Sequence, residues 1–195
     1  MPKSFSARLR SIGEELTAEE NAADLSDMAL NSASAPVLQL LLLAARNQRA
    51  LSRAVCRALL RWGEGEAAPD KAWAMKLASD ESGSHMLEAV LEALDAVDVQ
   101  PLLECFRGSL LQLARQRTAN HVVQRLLDKA REAPHVRLVM QELGGPHLAE
   151  LLQWNRAGVV KALADACARS EVGQGELVKA RRRPTPPHCI TPHPS

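Results

Sequence analysis

Two octapeptides lie thirty-six residues apart and set the same kinds of side chain at the same positions. They are Ser84-His85-Met86-Leu87-Glu88-Ala89-Val90-Leu91 and Asn120-His121-Val122-Val123-Gln124-Arg125-Leu126-Leu127. Each has a small polar residue, a histidine, two apolar residues, then Glu or Gln. Residues i and i+4 share a helix face, so Ser84 pairs with Glu88 and Asn120 with Gln124, while the apolar residues fall on the other side. Glu88 offers acceptors only, and the Asn120 and Gln124 carboxamides offer both donors and acceptors. A pair of such groups one turn apart, with an imidazole beside it, can bond the edge of a planar heterocycle and lie against its face. That is recognition chemistry. Bond-making chemistry has no comparable signature: H-E-x-x-H and G-x-x-x-x-G-K-[ST] are absent, and Cys56 and Cys105 have no patterned His or Asn partners. The chain reads as a non-enzyme without cofactor or bound metal.

The elements that must position these residues are helical. A capping-box pattern, Thr17-Ala18-Glu19-Glu20, predicts a helix running towards Asn31. Pro36 opens a helix over 37–45, and another follows over 48–62. The segment 63–69 is a polar, glycine-rich loop. Further helices are expected over 72–78, around Ser84, over 101–115, around Asn120, over 147–154 and over 157–169, with Gly144-Gly145-Pro146 as a break. The apolar positions Met86, Leu87, Val90, Leu91 and Leu94 overlie Val122, Val123, Leu126, Leu127 and Ala130, then Val159, Val160, Leu163, Ala164 and Cys167. Val37, Leu38, Leu41, Leu42 and Ala45 give a fourth alignment. About four helical repeats result, none able to hide its apolar stripe without a neighbour. The reading is therefore all-α: an α-solenoid over residues 17–170, followed by a disordered basic and proline-rich tail over 171–195.

Composition agrees. Leu- and Ala-rich, the chain has three Trp, two Phe and no Tyr, which disfavours sheets. Net charge is +1, so no overall basicity announces a polyanionic partner. Three of the four scattered cysteines sit in apolar helical patterns, as buried hydrophobes would in a reducing compartment. The longest apolar stretch is too short to span a bilayer, and the amino terminus does not resemble a signal peptide. A monomeric protein without membrane attachment is expected.

The repeat spacing, the [S/N]-H-x-x-[E/Q] second helix and the supporting segment Trp154-Asn155-Arg156-Ala157-Gly158-Val159-Val160 together resemble Pumilio-type (PUF) repeats, in a divergent nucleolar branch of that family. The resemblance implies a partner: single-stranded RNA, precursor ribosomal RNA above all, bound during small-subunit maturation in the nucleus and nucleolus alongside ribosome-assembly proteins. It implies that Asn120 and Gln124 read uracil, that Ser84 and Glu88 read guanine, that His85 and His121 stack on bases, and that the bound dinucleotide is 5′-UG-3′. The last unit carries Ala157, Gly158 and Lys161 in these places, leaving Lys161 for a phosphate. The first carries Ala35, Pro36 and Gln39. A HEAT- or armadillo-like protein scaffold is the alternative, since those solenoids also stack helices at a similar period.

Overall fold

The computed structural model describes residues 3–63, 65, 67–175 and 177. Twelve α-helices and one short 3₁₀ turn (Glu19–Asn21) make up the described residues, without strands. The helices are α1 Lys3–Leu16, α2 Ala22–Leu30, α3 Ala35–Ala45, α4 Arg49–Leu59, α5 Lys71–Ser79, α6 Glu81–Ala93, α7 Ala96–Phe106, α8 Leu110–Arg115, α9 Ala119–Lys129, α10 Ala133–Leu143, α11 His147–Gln153 and α12 Ala157–Ser170. After α1 they group as α2–α3–α4, α5–α6–α7, α8–α9–α10 and α11–α12. The second helices form one continuous layer in which α3 packs on α6, α6 on α9, and α9 on α12.

Local chemistry sets the helix starts. Asp70 and Asp80 each accept a bond from the backbone N–H three residues on, Trp73 at 3.1 Å and Gly83 at 2.7 Å, which caps α5 and α6. Pro36 lies in the first turn of α3, where its missing N–H costs nothing. The core runs along the repeat layer: Met86, Leu87, Val90 and Leu91 of α6, then Val122, Val123, Leu126 and Leu127 of α9, then Val159 and Leu163 of α12 are all buried. Burial at about 25 cal/mol per Å² of apolar surface drives this stacking, because each unit's stripe is covered only by its neighbours.

Polar clamps set the register. Lys129 at the end of α9 donates to the Glu92 carbonyl near the end of α6 (2.9 Å), and Arg169 near the end of α12 donates to the Leu127 carbonyl of α9 (2.8 Å). Carboxyl ends therefore meet carboxyl ends, and both cations satisfy terminal carbonyls while complementing the helix dipole. The second helices run parallel and level. On the third helices, the buried Asp98 of α7 accepts from Arg53 of α4 at 2.8 Å, tying the first unit to the second.

Several expectations are corrected. Helix α1 precedes Thr17, and Thr17 is no amino-terminal cap: its hydroxyl donates back to the Gly13 carbonyl (2.9 Å), closing α1. The expected 101–115 helix is two helices. Helix α7 begins at Ala96 with Pro101 inside it, and the chain breaks at Gly108, whose φ of +78° suits glycine. Helix α10 was not expected at all. Val37 is exposed, although the matching Met86, Val122 and Val159 are buried. Among the described residues no second helix precedes α3 to cover it. Beyond Ser170, Val172 and Leu177 pack on the core; Arg181, Cys189, Ile190 and the rest of the expected tail lie outside the described residues. No single described helix is long and apolar enough to cross a membrane.

Candidate nucleic-acid interface

The candidate residues occupy the first two turns of α6, α9 and α12, brought side by side by the level stacking. His85 and His121 stand at equivalent places on adjacent helices and are both exposed, His85 with 69% of its side chain accessible. One turn further along lie Glu88 and Gln124, each partly exposed.

Their small polar partners are placed differently from the expectation. Ser84 is only 2% exposed, and its hydroxyl donates to the Glu81 carbonyl at 3.0 Å. It cannot serve a base edge without turning round. Asn120 is 6% exposed; its Nδ2 donates to the Gln116 and Arg117 carbonyls (3.0 and 2.6 Å), and its Oδ1 accepts from Gln124 Nε2 at 2.9 Å. A small polar residue in a first helical turn finds backbone partners within reach, which is why both side chains turn inward. Asn120 acts as a backstop that orients the Gln124 carboxamide, leaving Gln124 Oε1 as an acceptor.

Glu88 is bracketed. His85 Nδ1 lies 3.4 Å from one carboxylate oxygen, and Arg125 Nε of α9 lies 3.6 Å from the other. Sequence reading missed Arg125. Its only signal was an opposite charge thirty-seven residues after Glu88, one repeat and one residue away. Gly158 was also undervalued: a Cβ there would fall 2.7 Å from Gln124 Oε1, so the glycine makes room for that side chain. Lys161 is 80% exposed and pairs with Asp165 at 2.7 Å. That hydrogen bond holds the ammonium pKa above its ordinary value and the carboxyl of Asp165 below its own. Nearby, the Arg115 guanidinium covers the Trp154 ring at 4.1 Å, and Arg156 donates twice to the Arg115 carbonyl. Among the described residues no three His, Cys, Asp or Glu side chains gather as a metal site.

The family model of the NOP9-like PUF repeat domain matches residues 1–183. The chain belongs to that family. Mouse nucleolar protein 9 is 38% identical over 101 residues, which is 51% of this chain and 16% of the relative. Human nucleolar protein 9 is 34% identical over 114 residues, 58% of this chain and 18% of the relative. Pumilio homolog 23 of Arabidopsis thaliana is 30% identical over 102 residues, 52% of this chain and 13% of the relative. The chain thus spans under a fifth of these relatives' length. Among solved structures, APUM23-GGAGUUGACGG superposes with a TM-score of 0.74 at 23% identity, over 86% of this chain and 32% of that one. The fold is that of a PUF-repeat solenoid, which displaces a HEAT or armadillo array.

Proposed function

We propose that this NOP9-like PUF chain binds single-stranded RNA along the amino-terminal halves of α6, α9 and α12, without catalysis. The observation that carries this reading is the level, parallel stacking of α6 and α9. It sets two exposed imidazoles on adjacent helices, each one turn from a hydrogen-bonding side chain. Bases would stack on His85 and His121. Gln124, held by Asn120, would read uracil, and Glu88 would read guanine. Lys161 would contribute its charge to a phosphate. The names of the curated relatives, two of them nucleolar protein 9, support a nucleolar setting, with precursor ribosomal RNA of the small subunit as the substrate and assembly proteins as companions. The chain would act as a monomer.

Two intact reading units supply about 2–6 kcal/mol, at about 1–3 kcal/mol per stacked base. Millimolar affinity already requires about 4 kcal/mol, so binding by this chain is weak and suits an NMR titration. A short U/G-rich RNA titrated at low and moderate salt should perturb the α6 and α9 resonances. Asn120→Ala/Gln124→Ala and His85→Ala/Glu88→Ala proteins, at unchanged helicity, should each lose binding. Binding indifferent to both double substitutions would refute the proposal.

A further inference from the structure

Ser84 leaves the guanine-reading unit one group short. Its hydroxyl is committed to the Glu81 carbonyl, and the residue is buried, so the exposed partner that Glu88 keeps on its own helix is the stacking residue His85, whose Nδ1 lies 3.4 Å from Oε1. The second carboxylate oxygen of Glu88 faces the next helix. Arg125 Nε lies 3.6 Å from Glu88 Oε2, and 56% of the arginine side chain is accessible. The Arg125 side chain makes no other ion pair or hydrogen bond among the described residues. The two terminal nitrogens of its guanidinium are thus available beside the carboxylate. Exposed ion pairs of this kind add little to stability, so the pair is better suited to meeting a ligand than to bracing the fold.

We infer that Glu88 and Arg125 form one guanine-edge reader shared between α6 and α9, with Arg125 as a specificity-determining residue. This rests on the RNA-binding reading above and adds a residue to it. The exposed edge of guanine presents an acceptor, O6, followed by two donors, N1–H and the N2 amino group. A carboxylate is acceptor-only and a guanidinium donor-only. Glu88 therefore takes the two donors and Arg125 takes O6, each bond charge-assisted. Adenine reverses the pattern, with its N6 amino donor set against the guanidinium and its N1 lone pair against the carboxylate. Uracil and cytosine each place an acceptor, O2, against the carboxylate.

The seam is specific. The residue matching Arg125 on α12 is Ala162, and the one on α6 is Ala89. A cation therefore stands only beside the carboxylate reader, and Gln124 and Gln39 have none in that place.

The test titrates the full chain by NMR with a short single-stranded RNA centred on UG, and with versions carrying adenine, inosine or 6-thioguanine in place of the guanine. Inosine removes the N2 amino donor that faces Glu88; 6-thioguanine weakens the O6 acceptor that faces Arg125. The wild-type chain should prefer guanine, and Arg125→Met should cut its preference over adenine by about tenfold. The same variant should abolish the 6-thioguanine penalty while keeping the inosine penalty and the uracil-over-cytosine preference at Gln124. Arg125→Lys should restore part of the guanine preference. If Arg125→Met weakens guanine and adenine RNAs equally, Arg125 is a phosphate contact and the inference is overturned. An unchanged guanine preference overturns it too. Failure of the wild-type chain to bind any of these RNAs would instead sink the proposed function, and this inference with it.

Discussion

Gly158→Ala should separate base recognition from folding stability. A Cβ at this position would sit 2.7 Å from Gln124 Oε1 and 2.9 Å from Cδ and Nε2, too close to persist. The obstacle is the far end of a flexible side chain, so the carboxamide moves and the backbone stays. Moving it breaks the 2.9 Å bond from Gln124 Nε2 to Asn120 Oδ1, a net loss of about 0.5–1.5 kcal/mol. Alanine in place of glycine returns about 0.8–1.0 kcal/mol in a helix interior and less at Gly158, which lies in the first turn of α12. The unfolding free energy should therefore change by less than about 1.5 kcal/mol. Recognition has no such compensation. A well-aligned edge contact is worth about 1–3 kcal/mol of discrimination, so the preference for uracil over cytosine should fall by roughly 5- to 140-fold. Urea denaturation followed by circular dichroism reads the first quantity, and paired RNA titrations read the second. Undiminished discrimination would show that the orientation of Gln124 against Asn120 is irrelevant. A stability loss above about 2 kcal/mol, beyond the cost of one hydrogen bond, would show that the carboxamide cannot move and that the packing argument is wrong.

Three further outcomes are expected. Glu142 of α10 accepts from the backbone N–H groups of Gly108 (2.6 Å) and Leu110 (3.0 Å) at the α7–α8 break; Glu142→Ala should cost about 1–3 kcal/mol in urea unfolding, and no loss would mean that solvent replaces both bonds. Phe106 is fully buried, and Phe106→Ala should cost about 3–5 kcal/mol, so a loss below about 1 kcal/mol would indicate a core that collapses onto the gap. Burial pushes the Cys56 thiol up to about 12 and the Cys105 thiol up to about 11, from an ordinary 9.0. Both stay protonated in the fold while the unfolded chain ionises, so their stabilisation is whole below pH 9 and is lost as pH rises towards 11–12. Thermal unfolding at pH 7 and pH 10 should show a shallower alkaline drop in Cys56→Ala/Cys105→Ala than in the parent, and equal drops would refute the assignment.

What the sequence determined by itself was the all-helical class, the near-thirty-six-residue repeat and the second helices that carry the candidate site. These follow from spacing within single helices, which any one stretch of chain displays. Local pattern also misled in places. The Pro134 start of α10 passed unseen because proline suits a first helical turn as well as a loop, and the apolar spacing of 101–115 continued across the left-handed turn at Gly108. Tertiary structure alone decided which face of each helix is covered and which side chain from the next repeat arrives beside it. Val37 is exposed and Val122 buried because α9 has a preceding second helix, α6, packed on it, and among the described residues α3 has none. Arg125 reaches Glu88 because the helices stack level, a relation set by clamps such as Lys129 to Glu92. Ser84 turns inward because the Glu81 carbonyl lies within reach of its hydroxyl. Periodicity places a residue on its own helix; the neighbour decides what that residue meets.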